Sequence, residues 1–280
     1  MAARTAEFYK VVNDAISDLL EHGFDSQQRL DTWLSRIHQA ARQALVPESV
    51  LQRSLNDALA QIYQRTLKNG RALKVHPGVS QFTLERVKPK LRAELDRRIL
   101  SSANLIKLNR EASIARTLQR FAGWATSIPA GGTDVAKRKE VKESVRKGIA
   151  ALPFEERRVI IDQGMKLAAA INDIIAVDGG AIAGEWRHVA EGPPAYQSRP
   201  DHVARNGKIY LIRDSWAQKD GLVKPGKPGY TDQITQPSEE VFCRCSYRYI
   251  YALRDLPEDM LTAKGKLALK TAQAKLRAIA

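Results

Sequence analysis

The chain has 280 residues and a formal net charge of +14, with 44% apolar and 27% charged side chains. This composition is close to that of globular domains, which excludes a disordered chain or a fibrous repeat. No apolar run approaches the roughly 18 residues that span a bilayer, so we expect no membrane-spanning helix. The first 20 residues lack the apolar centre of a signal peptide, and two cysteines are too few for a disulfide framework. We therefore expect a reduced, intracellular protein.

Residues 1–75 predict three amphipathic helices, because their apolar side chains recur at the i, i+3, i+4 spacing of a helix. Gly23 is predicted to end the first helix, and Asp25 to cap the second. Pro47 suits the first turn of the third helix. Amphipathic helices joined by short turns bury their stripes against one another, so this segment predicts a helical bundle.

Residues 76–180 form the second predicted segment, which opens with a turn at 76–78. A single long helix is predicted from about Thr83 to Thr126. At a rise of about 1.5 Å per residue it would extend for about 60 Å, which indicates a projecting basic arm. A short basic helix and a further helix opened by Pro153 complete the segment.

Residues 181–250 are rich in glycine, proline and aromatic side chains and predict a small α+β module. Its predicted strands cover 208–212 and 241–250 and are separated by a long loop. Residues 251–280 predict a carboxyl-terminal basic helix. The predicted fold class is thus mainly α, with a helical amino-terminal bundle, a long projecting basic helix and a small α+β carboxyl-terminal module.

About two thirds of the excess positive charge lies in residues 85–150, which carry 16 basic and 7 acidic side chains. Such a local excess favours contact with nucleic acid or an acidic protein surface, and a solvated helix face is the alternative. Because the arginines fall on several faces of the long helix, phosphate contact is favoured over sequence readout. The candidate contact residues are Arg86, Arg92, Arg97, Arg98, Arg110, Arg116, Arg120, Lys137, Arg138 and Lys139.

The most informative motif begins at Trp186 and ends at Cys243-Arg244-Cys245. It has the order W…R-x-x-H-x-x-x-x-G-x-x-[FY]…W…P…C-R-C, and its intervening members are Arg199, His202, Gly207, Tyr210, Trp216 and Pro237. This ordered set resembles the Mu F-like head morphogenesis family of tailed phages, the minor head proteins. The resemblance covers roughly residues 130–250, with the motif itself in 186–245.

This resemblance implies a structural protein of the virion, present in low but multiple copies inside the head or at the portal vertex. Such a protein assembles in the host cytoplasm and assists head assembly, DNA packaging or DNA delivery. The implied partners are the portal and major capsid proteins, together with packaged DNA contacted without sequence preference.

Two histidines and the two cysteines, His188, His202, Cys243 and Cys245, are the candidate metal ligands. Thiolate and imidazole suit Zn²⁺ in a tetrahedral array, and a bound ion would hold the long loop of a module with a small core. The alternative is a histidine hydrogen-bonded to the backbone beside cysteines that pack as small apolar residues. Asp201 either orients His202 from behind or is a solvated acid in a turn.

The rival function is a nuclease or other phosphodiester-acting enzyme that uses His202 with Arg199 or Arg205. However, the chain has no acidic pair at the spacing of a two-metal site and no GxxxxGK[ST], GxSxG or HExxH motif. Cys243 lies in a predicted strand and lacks the surroundings that activate a nucleophile. We therefore expect a non-enzymatic structural protein, with a zinc-held, non-specific DNA-binding protein as a further alternative.

Overall fold

The structure is a computed structural model that describes residues 2–132, 138–189 and 198–279. Its α-helices are α1 (Ala2–His22), α2 (Gln27–Ala44), α3 (Glu48–Leu67), α4 (Arg71–Val75), α5 (Gln81–Ala125), α6 (Arg138–Asp178), α7 (Pro200–Arg205), α8 (Trp216–Lys219) and α9 (Ala263–Ile279). Its strands are β1 (Ala183–Arg187), β2 (Ile209–Leu211) and β3 (Ser246–Ile250). The predicted class, mainly α with a small α+β module near the carboxyl end, is confirmed.

The chain forms two compact units, each built from two stretches of sequence. The first unit contains Met1–Asp57 and Ile99–Ile161, and the second contains Ala58–Arg98 and Asp162–Ala280. Helices α3, α5 and α6 each contribute to both units, so the limits of the units lie inside helices. The four segments predicted from the sequence are each continuous and end at loops, whereas each compact unit combines two separate stretches that end inside helices.

The first unit buries one apolar core that is shared by α1, α2, α5 and α6. Phe8 of α1 and Ile37 of α2 pack in this core with Phe121 of α5 and Ile149 of α6. The predicted bundle is present, but α5 and α6 complete it instead of α3, whose first half packs in a smaller cluster around Ile106. Amphipathic stripes show which side of a helix is buried and leave the choice of partner to the tertiary structure.

Local signals predict some helix ends and miss others. Gly23 adopts a φ of +76°, which favours glycine, and it ends α1 as predicted. Helix α2 is capped by Ser26, one residue after the predicted Asp25, and the Ser26 hydroxyl accepts the N–H of Arg29 at 3.3 Å. The predicted start of a new helix at Pro153 is wrong, because α6 continues through this residue.

Helix α5 confirms the predicted long helix, but the expectation of a projecting arm is wrong. Leu91 is fully buried in the second unit and Phe121 is fully buried in the first, so α5 supplies core residues to both. Leu105 and Leu108, near the middle of α5, are exposed. Despite its length, neither this helix nor another helix of the described ranges is apolar enough to cross a membrane.

The sheet belongs to the second unit and has the order β2-β1-β3, with both pairs antiparallel. Gly184 in the central strand lets the Tyr247 ring approach closely, since an added Cβ would lie 2.9 Å from that ring. The predicted strand over 241–250 begins only at Ser246. Phe242 adopts a φ of +59°, which turns the chain before the strand.

Helix α9 is anchored to the core of the second unit through its first turn. It begins at Ala263, because the preceding residues Glu258–Met260 form a separate 3-10 turn. The N–H of Gly265 donates to Thr262 Oγ1 at 3.1 Å, and the Gly265 backbone lies against the Leu222 carbonyl.

Substitution of Gly265 by alanine tests this anchoring. Alanine in a helix is normally more stable than glycine by about 1 kcal/mol, but a Cβ at this position would lie 2.0 Å from the Leu222 carbonyl oxygen. We expect Gly265→Ala to lower the melting temperature. The matched control is Gly123→Ala in α5, where an added Cβ meets nothing within 4 Å, and we expect this variant to be at least as stable as the wild type. Equal melting temperatures for the two variants would contradict the packing of α9.

Candidate metal centre

Helix α7 carries His202. A proline begins this helix, and backbone hydrogen bonds hold the residues that follow it. Pro200 occupies its first position, where a missing N–H costs nothing. Gly207, with a φ of +75°, follows its carboxyl end and donates its N–H to the Trp186 carbonyl at 2.8 Å. The Asn206 side chain accepts the N–H of His188 at 3.0 Å. These bonds tie α7 to the end of β1 and point the His202 ring into the module, where it is 1% exposed.

The two cysteines lie in the turn that precedes β3. Phe242 donates its N–H to Asp162 Oδ1 at 2.7 Å, which anchors this turn to α6. Ser238 donates its N–H to Cys243 Sγ at 3.3 Å and its hydroxyl to the Cys245 carbonyl at 3.2 Å. The cysteines are therefore held by an irregular turn and not by the predicted strand, and both are at most 2% exposed.

The imidazole and both thiols converge on one point. Nδ1 of His202 lies 3.5 Å from Cys243 Sγ and 3.6 Å from Cys245 Sγ. One ligand atom from each of these residues lies within 4.8 Å of the other two. His188 is adjacent, with its Nδ1 3.5 Å from Cys245 Sγ and its Nε2 3.1 Å from Ser198 Oγ. Of the four predicted ligands, His202, Cys243 and Cys245 thus lie close enough together to share an ion, and His188 contacts the Cys245 sulfur.

The spacing of these atoms suits a tetrahedral ion. With metal–sulfur and metal–nitrogen bonds of about 2.3 and 2.0 Å at the tetrahedral angle, neighbouring sulfur and nitrogen ligands lie about 3.5 Å apart. The observed nitrogen–sulfur distances are 3.5 and 3.6 Å. The same distances also permit hydrogen bonds between thiol and imidazole. The buried His202, Cys243 and Cys245 can therefore hold a metal ion with little movement.

Two carboxylates lie behind the His202 ring. Its Nε2 is 3.6 Å from Glu240 and 3.8 Å from Asp201, and it has no hydrogen-bond partner within the described part of the chain. Arg199 pairs with Glu240 at 2.5 Å and Arg205 pairs with Asp201 at 2.9 Å. Metal-binding histidines commonly direct their second nitrogen at such carboxylates. Both arginines of the enzyme hypothesis are engaged in these ion pairs.

Aromatic side chains seal the cluster from solvent. The Trp186 ring is fully buried, and its centroid lies 5.2 Å from that of His202 and 5.8 Å from that of Tyr247, both edge to face. The Arg205 guanidinium lies 5.1 Å from the centroid of the Trp186 ring. Trp216 differs, because its indole is 42% exposed and donates its N–H to the Gly180 carbonyl.

A hydrogen bond between the two thiols moves their pKa values in opposite directions. A hydrogen bond from the Cys245 thiol lowers the pKa of Cys243 to about 5, and the same bond raises the pKa of Cys245. Burial raises the pKa values of the neighbouring Tyr210 and Tyr247, which keeps these phenols neutral. The hydrogen bond between the thiols therefore favours loss of the proton from Cys243 over loss from Cys245, and binding of a metal by both sulfurs would release the proton of Cys245 as well.

Arg110 is wrong as a candidate contact residue for an external partner. Its side chain is 8% exposed, and its guanidinium donates to Glu156 at 2.6 Å and to the Val46 carbonyl at 2.9 Å. A buried arginine paired in this way is unavailable to a phosphate, because exposing it would leave the Glu156 carboxylate buried and unpaired.

The other candidate contact residues of α5 also bind within the chain. The ion pairs are Arg92 with Asp96, Arg97 with Glu94, and Arg98 with Glu94. The bonds to backbone carbonyls are Arg86 to Asp178, Arg116 to Ala112, and Arg120 to Ser144. Lys139 is exposed on α6, Arg138 is described only as the first residue of that helix, and Lys137 lies outside the described residues. Carboxylates next to α5 arginines therefore offset part of the local charge excess.

No family model, curated protein or solved structure matches the chain. The similarity to Mu F-like head proteins therefore rests on the motif residues themselves and stays a prediction.

Sequence reasoning missed Asp162, which positions the turn that carries Cys243. The carboxylate accepts the Phe242 N–H with one oxygen and pairs with Lys166 at 2.8 Å through the other. No local signal identifies this role, since Asp162 lies in the middle of α6 and about eighty residues before the turn. Glu240 was missed for the same reason, because only the folded chain brings it behind His202.

Two substitutions of Asp162 separate its roles. We expect Asp162→Ala to lower the free energy of unfolding by about 1–3 kcal/mol, because it removes the carboxylate that accepts the part-buried Phe242 N–H. Asp162→Asn keeps an oxygen for that N–H and should cost less. The control is Asp178→Ala, which removes the solvent-exposed pair with Lys90 and should cost at most about 1 kcal/mol. Urea denaturation measures all three values, and an Asp162→Ala loss no larger than that of the control would contradict the anchoring role.

Proposed function

We propose that the chain is a structural protein of a tailed-phage virion, of the minor head type, whose carboxyl-terminal module is held by a metal ion. The observation that carries the proposal is the convergence of the motif. Trp186, His202, Tyr210, Cys243 and Cys245 come from separate segments and pack around one point, each at most 4% exposed. A motif whose members form one buried cluster is a signature of a folded module, which supports the Mu F-like assignment.

Burial favours a structural ion over a catalytic one. A catalytic zinc keeps an open position for water or substrate, whereas a structural zinc is closed by protein ligands. The cluster of His202, Cys243 and Cys245 is at most 2% exposed and is covered by the Trp186 ring. His188, which contacts Cys245, is the residue that can complete a fourth position.

The donor set favours zinc. Two thiolates and one or two imidazoles form the soft and borderline ligand set that proteins use for structural Zn²⁺. A bound ion would also stabilise the module, whose apolar cluster around the sulfurs is small. Bound zinc would tie α7 to the turn before β3, and its binding free energy would add to the stability of the module.

The enzyme alternative receives less support from the same geometry. A general base must reach the proton that it abstracts, but the ring of His202 is buried. Arg199 and Arg205 are paired with Glu240 and Asp201, the carboxylates behind the His202 ring. We therefore assign these residues to holding the module together.

In the virion, this protein would act through contacts with neighbouring proteins and with packaged DNA. The proposed location is the head interior or the portal vertex, after assembly in the host cytoplasm. The proposed partners are the portal protein, the major capsid protein and DNA bound without sequence preference. A net charge of +14 supports the DNA contact.

The metal is tested on the full-length protein. We expect about one zinc per chain by elemental analysis, and a lower melting temperature after chelation, because an ion that binds only the folded state stabilises it. Free zinc at 100 times its Kd would add about 2.7 kcal/mol to the free energy of unfolding. Cys243→Ser and Cys245→Ser should each lose the metal, while His188→Ala should weaken its binding if that residue completes the site.

The control for these variants is His22→Ala, which removes a half-exposed histidine at the end of α1 and should retain the zinc. His202→Ala separates the structural role from the enzymatic one. Lost metal and a lower melting temperature support the structural role. An unchanged melting temperature together with loss of a phosphodiester hydrolysis shown by the wild type would support the enzyme instead. Wild-type protein that contains no zinc and melts identically in chelator would overturn the metal centre.

The virion role is tested on purified particles of a tailed phage that carries this sequence. We expect mass spectrometry to detect the chain in mature heads at a copy number well below that of the major capsid protein. A nonsense mutation in the gene should yield heads that are misassembled, empty or unable to deliver DNA. Particles that lack the chain and form infectious heads without it would contradict the proposal.

A further inference from the structure

Helix α9 is covered by the rest of the second unit only near its beginning. Ala268 and Leu269 are half-buried against the core of this unit, and Gly265 is buried against Leu222. From Lys270 to Lys275 every residue is exposed. A helical segment that is solvated on all sides contributes little to a core, so its sequence is free to serve an external contact.

The charge of α9 has a single sign. Its 17 residues contain five cations and no acidic residue. Lys264 donates to the Asp220 carbonyl at 2.7 Å, and Lys266 lies 3.8 Å from the exposed Glu258. Lys270, Lys275 and Arg277 are exposed and have no ion-pair partner within the described part of the chain. In this respect α9 differs from α5, whose arginines are largely paired.

The five cations form two stripes on nearly opposite sides of α9. At 3.6 residues per turn, Lys264 and Lys275 lie within about 20° of each other around the axis. The second stripe, about 200° from the first, consists of Lys266, Lys270 and Arg277. On the side of α9 that faces away from the core, small exposed residues such as Thr271 and Ala274 lie between the stripes and leave room for close approach of the helix to a surface.

We propose that α9 is the nucleic-acid-binding element of this protein and lies along a groove of duplex DNA. The major groove is about 12 Å wide and admits an α-helix, and its two edges are lined by the phosphates of the two strands. Cations on opposite flanks of one helix can contact both edges. A membrane surface or an acidic protein surface presents its negative charge on one side only and would use one of the two stripes.

The contact is expected to be independent of sequence. Lysine and arginine bind phosphates as charges, and such contacts position a protein without reading bases. The inference rests on the DNA contact that the proposed function includes, but it assigns this contact to α9 and not to the arginines of α5.

The test compares two triple variants of the full-length chain that change the net charge equally. The first is Lys270→Gln/Lys275→Gln/Arg277→Gln in α9. The matched control is Arg92→Gln/Arg97→Gln/Arg116→Gln in α5. Affinity for a short duplex of random sequence is measured by fluorescence anisotropy over a series of salt concentrations. Each lost phosphate contact lowers the slope of log K against log salt by about 0.9, so the α9 variant should lose up to about 2.7.

We expect the control to keep most of the wild-type slope, and the melting temperature of the α9 variant to stay unchanged, because its three substituted side chains are exposed. Equal slopes for the α9 variant and the wild type would overturn the inference and leave a DNA contact elsewhere. A wild type that does not bind DNA would overturn both the inference and the DNA contact of the proposed function. Binding to polyglutamate or to anionic vesicles as tight as to the duplex would replace nucleic acid by another acidic partner and also overturn the inference.

Discussion

The meeting of two thiols with one imidazole is the contact on which the carboxyl-terminal module depends. His202 reaches it from the short helix α7, and Cys243 and Cys245 reach it from the turn before β3. Between β2 and β3 the described chain has little regular structure apart from α8 and one 3-10 turn. Side-chain contacts therefore supply much of the order in this stretch: Leu222 and Val223 pack in the core beside the sheet, whereas Cys243 and Cys245 meet His202.

Charged residues around the cluster of His202, Cys243 and Cys245 hold its segments in place. Arg199 and Arg205 hold the carboxylates behind His202, and Asp162 fixes the turn through the Phe242 N–H. Each of these bonds restrains a segment that also carries or contacts a candidate ligand. Preorganisation of this kind lowers the entropy cost of binding an ion, because the ligand atoms already lie near their final positions.

The distribution of free charge changes once the chain is folded. A count along the sequence places most of the excess in residues 85–150. In the fold, Arg110 is buried and Arg97 and Arg98 both bind Glu94. Lys270, Lys275 and Arg277 of α9 are exposed and have no ion-pair partner among the described residues, although α9 contributes less to the net charge than residues 85–150. A count of charges carries no information on which of them are neutralised, because that depends on side chains brought together by folding.

The amino-acid sequence alone was enough to predict the fold class, several helix ends and the candidate ligands. Apolar spacing, capping residues and glycines with positive φ act over a few neighbouring residues, so Gly23 and the long helix α5 were predictable. The set of His188, His202, Cys243 and Cys245 was predictable because those side chains have the chemistry of metal ligands. The continuous helix through Pro153 and the turn at Phe242 were not predictable, because packing overrides local propensity at such positions.

Three features became visible only in the folded chain: which helices share a core, the packing of α5 into the two cores, and the side chains that support His202. Asp162 and Glu240 stand beside the cluster through contacts that span up to eighty residues of chain. The physical reason is the same in each case. The residue type at each position states the chemistry of its side chain. Which other side chain it contacts depends on which residues folding buries and which charges folding brings close together.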